Sequence, residues 1–411
     1  MKQGTIPYSS IAPCLLAIIV DALGFGLVYP VMTALLTASP SPVLPVEAST
    51  TLRHFYLGLS FMLYPFCMFF GTSFMGDLSD KYGRKTILML CMTGIAISFY
   101  LMAIAIESSS ILFLLIGRSL SGLMAGSQPI AQAAIADLST AESKAKNMSI
   151  IALSYCIGSI LGPLLGGVTS DSSLISWFDF STPFFIAGTL AVIALVWLML
   201  AFKETHLPSG KKTIDFTRPI KIFVEAFEHR NIRVLAIIFL FMQIGFSLYF
   251  QFIVVHMKYV YQYDNWQLGA IQGMLGLGFA VGLLIGMPFS VKRFKTINIG
   301  FVSLFITAIG QLLAAVLPIE SLQWVLAIII AGADIMAFTA LLTLFSDSVS
   351  EKAQGWAMGI ANAVMALSWA ITGLGSNFLN TLGTQGLIFI GGICLILSGF
   401  ILLSQNKNSY P

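Results

Sequence analysis

Three ionisable residues lie within long apolar stretches of the sequence, at Asp21, Arg118 and Asp334. A charged side chain inside a lipid bilayer is costly, so a residue of this kind marks a functional site by default. A carboxyl group in an apolar setting can exchange a proton, while an arginine stays charged when buried and therefore needs a partner. These residue types indicate proton exchange or binding of a charged ligand.

Each of the three residues has a predicted role and an ordinary structural alternative. Asp21 is predicted to be the primary residue for proton coupling or substrate binding, and the alternative is a structural hydrogen bond to a neighbouring helix. Arg118 is predicted to be the electrostatic partner of Asp21, and the alternative is a structural pair between helices. Asp334 is predicted to be a second titrating group or a binder of a cationic substrate, rather than a carboxyl satisfied by a hydroxyl or an amide.

The elements that must position these charges are membrane-spanning helices. The chain has 411 residues, of which 57% are hydrophobic and 9% charged, whereas soluble globular proteins carry about 25% charged residues. A span needs about 20 apolar residues, so the length suits about twelve spans and no soluble catalytic domain. Two sets of six apolar runs, called spans 1 to 12 below, cover residues 10–37, 55–76, 86–106, 110–136, 148–169, 182–202, 232–257, 266–289, 296–317, 321–345, 353–378 and 384–404.

The predicted fold is an all-α membrane protein whose twelve transmembrane helices form two six-helix bundles. Residues 1–202 would form the N-terminal bundle, residues 203–231 a cytoplasmic linker, and residues 232–411 the C-terminal bundle. Within the linker, residues 220–227 are predicted to form an amphipathic helix on the membrane surface. Most of the 21 Lys and Arg residues fall on one side of the spans, which places both termini in the cytoplasm of a multi-pass inner-membrane protein.

Small and amide residues recur on single helical faces. Small residues let membrane helices approach closely. The glycine ridges of spans 5 and 8 are therefore predicted to meet across the two halves and to open and close there, and the alternative is packing within each half. The ridge of span 8 consists of Gly269, Gly273, Gly278, Gly282 and Gly286. The amide side chains predicted to line a cavity are Gln128, Gln132, Gln243, Gln251 and Asn362.

The turn between spans 2 and 3 reads Gly-Asp-Leu-Ser-Asp-Lys-Tyr-Gly-Arg-Lys over residues 76–85. Its glycines permit a tight turn, and Asp80 can pair with Arg84 or cap a helix end. The turn resembles the signature of the major facilitator superfamily, G-x-L-[AS]-D-[RK]-[FY]-G-R-[RK], at every defined position. In that family it latches the cytoplasmic side together with an acid at the end of span 4, where Asp137 stands here. The resemblance implies a cytoplasmic latch of Gly76, Asp77, Asp80, Gly83, Arg84 and Asp137.

Two further stretches resemble the drug:proton antiporter branch of this family. Span 5 resembles the antiporter motif G-x-x-x-G-P-x-x-G-G in full, with Gly158, Gly162, Pro163, Gly166 and Gly167 at its defined positions. Residues 118–126 resemble the motif R-x-x-Q-G-x-x-A-[AG] with Ser121 in place of the glutamine, which implies a part for Arg118 in proton movement. Residues 21–30 are similar to the first helix of tetracycline efflux pumps.

These resemblances imply a proton-coupled secondary antiporter that exports a small amphipathic compound, a drug or a metabolite, by alternating access. The alternative is a proton-coupled importer, or a siderophore or metabolite transporter, of the same fold. An enzyme is not expected, because residues 210–213 lack the upstream glycine and the strand of a phosphate loop.

The expected requirements of such a protein are few. No cofactor is expected besides the proton gradient as energy source, and no metal, because the five cysteines have no paired spacing. The expected partners are a small-molecule substrate, protons and the lipid bilayer, with no nucleic acid, for a protein that acts as a monomer.

Overall fold

The computed structural model describes residues 8–140, 143–206, 217–228, 230–350 and 353–406. Within these ranges the chain is helical with short turns, which confirms the all-α prediction. The segment 210–213 lies outside the described residues. The α-helices are α1 (Tyr8–Thr37), α2 (Thr50–Tyr82), α3 (Arg84–Glu107), α4 (Ile111–Leu123), α5 (Ser127–Leu138), α6 (Lys144–Thr169), α7 (Thr182–Ala201), α8 (Arg218–Glu228), α9 (Arg230–Tyr261), α10 (Asn265–Val281), α11 (Met287–Val291), α12 (Thr296–Val316), α13 (Glu320–Asp347), α14 (Gln354–Gly373) and α15 (Leu379–Asn406).

The described helices form the twelve predicted spans. Span 4 consists of α4 and α5, and span 8 consists of α10, a π-helical turn at Gly282–Gly286, and α11. The apolar helical stretch Gln354–Gln405 is 52 residues long, which is too long for one crossing. It reverses at Gly383, whose φ of 64° lies in the left-handed region that glycine adopts readily. Spans 11 and 12 therefore meet at this glycine.

Close helix pairs lie both within and between the halves. In the N-terminal half α1 packs on α6 and α3 on α7, and in the C-terminal half α9 packs on α15 and α12 on α13. The largest contacts from one half to the other are those of α6 with α10 and of α2 with α14, and α1 also contacts α9 and α10. The described part of the predicted linker contains α8, and residues 207–216 and 229 lie outside the described residues.

The glycine ridges pack differently from the prediction. Gly158, Gly162 and Gly166 face the backbone of α1 within their own half, so the predicted contact across the halves is wrong for this stripe. Gly167, on the next face of α6, does meet Gly269 of α10. The reason is geometric, because residues four apart share one helical face and that face is turned towards α1.

The ridge of span 8 is divided between two neighbours. Gly269, Gly273 and also Gly276 lie against α6, whereas Gly278 and Gly282 lie against the backbone around Gly332 of α13. Gly286 lies against Met336 of the same helix. Of the glycines in span 8, those that contact the other half therefore lie in α10 before Gly278.

The two ends of the helical bundle differ in how closely the halves approach. We call the end with the α2–α3 turn and α8 the linker end, and the other the far end. At the far end the halves touch directly, with Asn380 Nδ2 donating to Thr51 Oγ1 at 3.1 Å and Asn265 Nδ2 donating to the Ser170 carbonyl at 2.9 Å. At the linker end a cavity of about 270 Å³ separates them. The halves thus touch at the far end and have a cavity between them at the linker end.

Helix α8 lies between the halves at the linker end. Phe223 packs on Phe69 of α2, and Trp356 Nε1 donates to Glu225 Oε2 at 2.6 Å. Ala226 is fully buried, whereas Ile220 and Val224 are about half exposed. The predicted amphipathic helix is present, but it packs against both halves as well as presenting an apolar face outwards.

Candidate functional site

Asp21 lies in the middle of α1 and is buried, with 8% of its surface exposed. Its Oδ2 accepts a hydrogen bond of 2.9 Å from Ser127 Oγ of α5, and Ser127 is itself fully buried. Among the described residues, no cationic nitrogen lies within 4.0 Å of this carboxylate. The structural alternative, a hydrogen bond to a neighbouring helix, is therefore present, and its partner is a neutral hydroxyl that leaves a proton-carrying role open.

Ser127 was not singled out by the sequence, and the chain geometry explains its position. Span 4 is interrupted by a turn at residues 124–126, and α5 begins at Ser127. The signal was Gly126 with Pro129, two residues that loosen a helix on either side of Ser127. Serine is too frequent in membrane helices for that signal to have identified a partner of Asp21.

Among the described residues, Arg118 forms no ion pair with Asp21 within 4.0 Å. Its Nε donates to the Ser60 carbonyl of α2 at 2.9 Å, and its guanidinium lies 5.1 Å from the centre of the Tyr64 ring. Its side chain is buried, and among the described residues its Nη2 has no hydrogen-bond partner. The predicted pairing with Asp21 is absent from this conformation, and the cation is held instead by a carbonyl and an aromatic face.

Asp334 is buried near the middle of α13, with 4% of its surface exposed. Within the described part of the chain its Oδ1 has no hydrogen-bond partner. It lies in the other half from Asp21, two residues after Gly332, which packs on α10. Its role as a second titrating group stays a prediction.

The predicted cavity residues fall into three groups. Asn362 of α14 lines the cavity at the linker end. Gln243 and Gln251 are buried and connect α9 to α14: Trp369 Nε1 donates to Gln243 Oε1 at 2.8 Å, and Gln251 Nε2 donates to the Trp369 carbonyl at 3.1 Å. Neither glutamine lines the cavity at the linker end, and their cavity-lining role stays a prediction. Gln128 and Gln132 are half-buried on α5, whose Pro129 and Ile130 line the cavity.

Aromatic rings from both halves meet about two turns along α14 from Asn362. The ring of Phe25 in α1 lies 5.5 Å from that of Trp369 in α14 and 5.9 Å from that of Phe250 in α9. Phe25 also contacts Tyr64, the ring beneath the Arg118 guanidinium. Asp21 precedes Phe25 by one helical turn, so the buried charges lie beside an aromatic contact between the halves.

The turn at residues 76–85 forms a charge cluster within the N-terminal half. Arg84 Nη1 pairs with Asp80 Oδ1 at 2.8 Å, and Arg84 Nε pairs with Asp137 Oδ2 at 3.4 Å. Gly83 has a φ of 99°, a conformation that glycine tolerates. The cluster connects the end of span 4 to the turn, as the resemblance implied, and its latch function stays a prediction.

Two partners of this turn were not predicted. Glu204 accepts hydrogen bonds from the backbone amides of Arg84 and Lys85, at 2.8 and 3.0 Å, and thereby caps the N-terminus of α3. Arg218 of α8 forms an ion pair with the buried Asp77. In the sequence, the contact of Glu204 with α3 was indicated only by the position of this acidic residue in the stretch Lys-Glu-Thr-His after span 6.

The twelve spans in two halves, a cavity at one end and the charged turn together define a membrane transporter, and the chain belongs to the major facilitator superfamily, whose family model matches residues 14–373. Among its relatives is the class B tetracycline resistance protein of Escherichia coli, 30% identical over 197 residues, which are 48% of this chain and 45% of that protein. Another is the class H tetracycline resistance protein of Pasteurella multocida, 27% identical over 361 residues, which are 85% of this chain and 84% of that protein.

Solved structures share the fold at lower identity. The crystal structure of a D-xylose-proton symporter superposes with a TM-score of 0.73 at 15% identity, covering 96% of this chain and 97% of that one. An identity of this size shows the fold alone. The family match and the apolar helices, not this superposition, show that the chain is a multi-pass membrane transporter.

Proposed function

We propose that the protein is a proton-coupled secondary antiporter that exports a small amphipathic compound, with Asp21 as the proton carrier. The observation that carries the proposal is the buried Asp21 carboxylate, whose hydrogen-bond partner among the described residues is a serine hydroxyl and which has no cation within 4.0 Å there. A carboxylate placed in this way gains or loses a proton without breaking an ion pair. Two relatives named as tetracycline resistance proteins support export of an amphipathic compound.

The difference between the two ends supports alternating access. Transporters of this kind open a central site to one side of the membrane at a time. The compound would enter the cavity between α2 and α14 and approach the aromatic contact of Phe25 and Trp369. Asp21 would release its proton at the linker end and accept one from the far side after the halves have exchanged their open and closed ends.

The orientation forms part of the proposal. The linker end carries Lys81, Arg84 and Lys85 beside α8, and basic residues are retained on the cytoplasmic side. The linker end would therefore face the cytoplasm of an inner-membrane protein, with both termini on that side. The described conformation would then be the inward-facing one, and the protein would act as a monomer with no cofactor besides the proton gradient.

The deciding experiment compares the wild type with Asp21→Asn in liposomes under an imposed pH gradient. The compounds are tetracycline, a lipophilic cation and a siderophore. Asp334→Asn is the matched variant, because it removes the charge of the other buried carboxyl within a span. We expect gradient-driven movement of at least one compound, reduced at least tenfold by Asp21→Asn because the carrier of the proton is removed.

The outcomes separate the alternatives. Equal gradient-driven transport by the wild type and Asp21→Asn would refute Asp21 as the carrier, and loss in Asp334→Asn alone would move coupling to α13. Movement of the compound in the same direction as the protons would indicate the importer. Residual downhill exchange in Asp21→Asn shows that the variant is folded.

A further inference from the structure

We infer that Ser127 is a positioning residue for Asp21, whose hydroxyl sets the pH at which proton-driven transport is half-maximal. The inference rests on the proposed function, because it concerns the same carboxylate. It adds a residue that neither the sequence motifs nor the family match assigns. Ser127 acts through Asp21 and need not touch the transported compound.

The hydrogen bond between these residues joins two spans. Ser127 Oγ lies 2.9 Å from Asp21 Oδ2, and the two residues are 106 positions apart in the chain. Neither side chain is open to solvent, since Ser127 is 0% and Asp21 8% exposed. A hydrogen bond to a charged group is strong, and strongest where water does not compete for it.

The acceptor of this hydrogen bond distinguishes Ser127 from other hydroxyl residues in these helices. Ser119 and Ser121 of the same span, and Ser98 of α3, donate to carbonyl oxygens three or four residues earlier in their own helices, as hydroxyls in helices commonly do. Ser127 donates to a side chain of another span instead. It can do so because α5 starts at Ser127, immediately after the turn at residues 124–126, and the hydroxyl is aimed at α1.

Other ionisable groups surround Asp21 without replacing this contact. Tyr64 of α2, Cys91 of α3 and Tyr155 of α6 lie close enough to interact electrostatically with the carboxylate. Arg118 shares span 4 with Ser127, but its Nε is committed to the Ser60 carbonyl. Among the described residues, Ser127 is the donor that contacts the Asp21 carboxylate.

A hydroxyl that donates to a carboxylate stabilises its ionised form. Removing the hydroxyl makes proton release harder, so the pH of half-maximal transport should rise. From the usual strength of a hydrogen bond to a charged group, we expect Ser127→Ala to raise that pH by about one unit. Ser127→Thr keeps the hydroxyl and should restore the wild-type profile, while Ser127→Cys, a weaker donor, should give an intermediate shift.

The test measures gradient-driven transport of tetracycline, a lipophilic cation and a siderophore over a pH series, in liposomes containing the full-length protein. The matched control is Ser121→Ala, which also removes a buried hydroxyl from span 4. Among the described residues, that hydroxyl donates to the Arg118 carbonyl and not to Asp21. We expect the pH of half-maximal transport to be lowest in the wild type, higher in Ser127→Cys and highest in Ser127→Ala. Ser121→Ala should have the same pH of half-maximal transport as the wild type. If Ser127→Ala fails to fold, the Cys and Thr variants carry the comparison.

An unshifted profile in Ser127→Ala and Ser127→Cys would overturn the inference, as would an equal shift in Ser121→Ala. The proposed function fails separately, when Asp21→Asn retains full gradient-driven transport. Loss of coupling in Asp21→Asn together with an unshifted Ser127→Ala profile would leave the proposed function standing and remove only the role of Ser127.

Discussion

Arg118 is held by neutral groups rather than by an acid. The Ser60 carbonyl accepts from its Nε, and the Tyr64 ring lies beneath its guanidinium. A planar guanidinium can stack on a ring and donate in its own plane at the same time, which a lysine ammonium does less well. This arrangement fixes α4 against α2 beside the site of Asp21.

At the residue scale we therefore expect Arg118→Lys to reduce the transport rate at least tenfold and to destabilise the protein by about 1–3 kcal/mol, because one buried hydrogen bond and the stacked contact are lost. Transport in liposomes and thermal unfolding in detergent measure the two effects. The control is Arg53→Lys, since Arg53 is also buried but donates to backbone carbonyls of the far-end loop. A wild-type transport rate in Arg118→Lys would show that the residue is structural.

The contact between α6 and α10 brings glycines of the two halves against each other's backbone. A methyl group on Gly167 would lie 2.5 Å from the Asn265 carbonyl oxygen and 2.7 Å from the Gly269 Cα. Both are backbone atoms, so neither can move without displacing a helix. The two helices must separate at this point for the far end to open.

At the element scale Gly167→Ala should weaken closure of the far end by about 1–3 kcal/mol, the usual cost of overpacking. We expect faster labelling of a cysteine introduced at Ser170, next to the contact, by a membrane-impermeant thiol reagent. The matched control is Gly355→Ala on α14, where an added methyl group has open space around it. Unchanged labelling in Gly167→Ala would mean that the contact does not hold the far end closed.

Across the whole molecule the two ends differ in how the halves meet. Thr51 and Asn380 touch at the far end, whereas Ser73 and Asn362 both line the cavity at the linker end. In alternating access, Thr51 and Asn380 would move apart when Ser73 and Asn362 come together. The two ends cannot be locked closed together if the protein is to work.

At the scale of the whole molecule, a disulfide between Thr51→Cys and Asn380→Cys should form readily and reduce transport at least tenfold until a reductant is added. Gel mobility after oxidation and transport before and after reduction measure this. Each single cysteine variant is the control, and Ser73→Cys with Asn362→Cys should cross-link more slowly. Full transport by the cross-linked protein would contradict alternating access through opening of the far end.

The sequence was sufficient to predict the spans and the buried charges, for a simple physical reason. The bilayer requires about 20 apolar residues for each helix and makes every charge within a span conspicuous, so Asp21, Arg118 and Asp334 were found without a structure. The turn at residues 76–85 was also recognised from the sequence, because its pattern is continuous in the chain and Asp80 and Arg84 pair four residues apart.

The partners of those charges depended on the tertiary structure. Ser127 is one of many serines in the spans, and only the break in span 4 brings its hydroxyl to Asp21. The sequence did not show which neighbour the glutamines of α9 contact. In the structure, Gln243 and Gln251 form hydrogen bonds with Trp369 of α14. Sequence periodicity determines which residues share a face of a helix. Which neighbour that face meets depends on the packing of all twelve spans, which no local pattern contains.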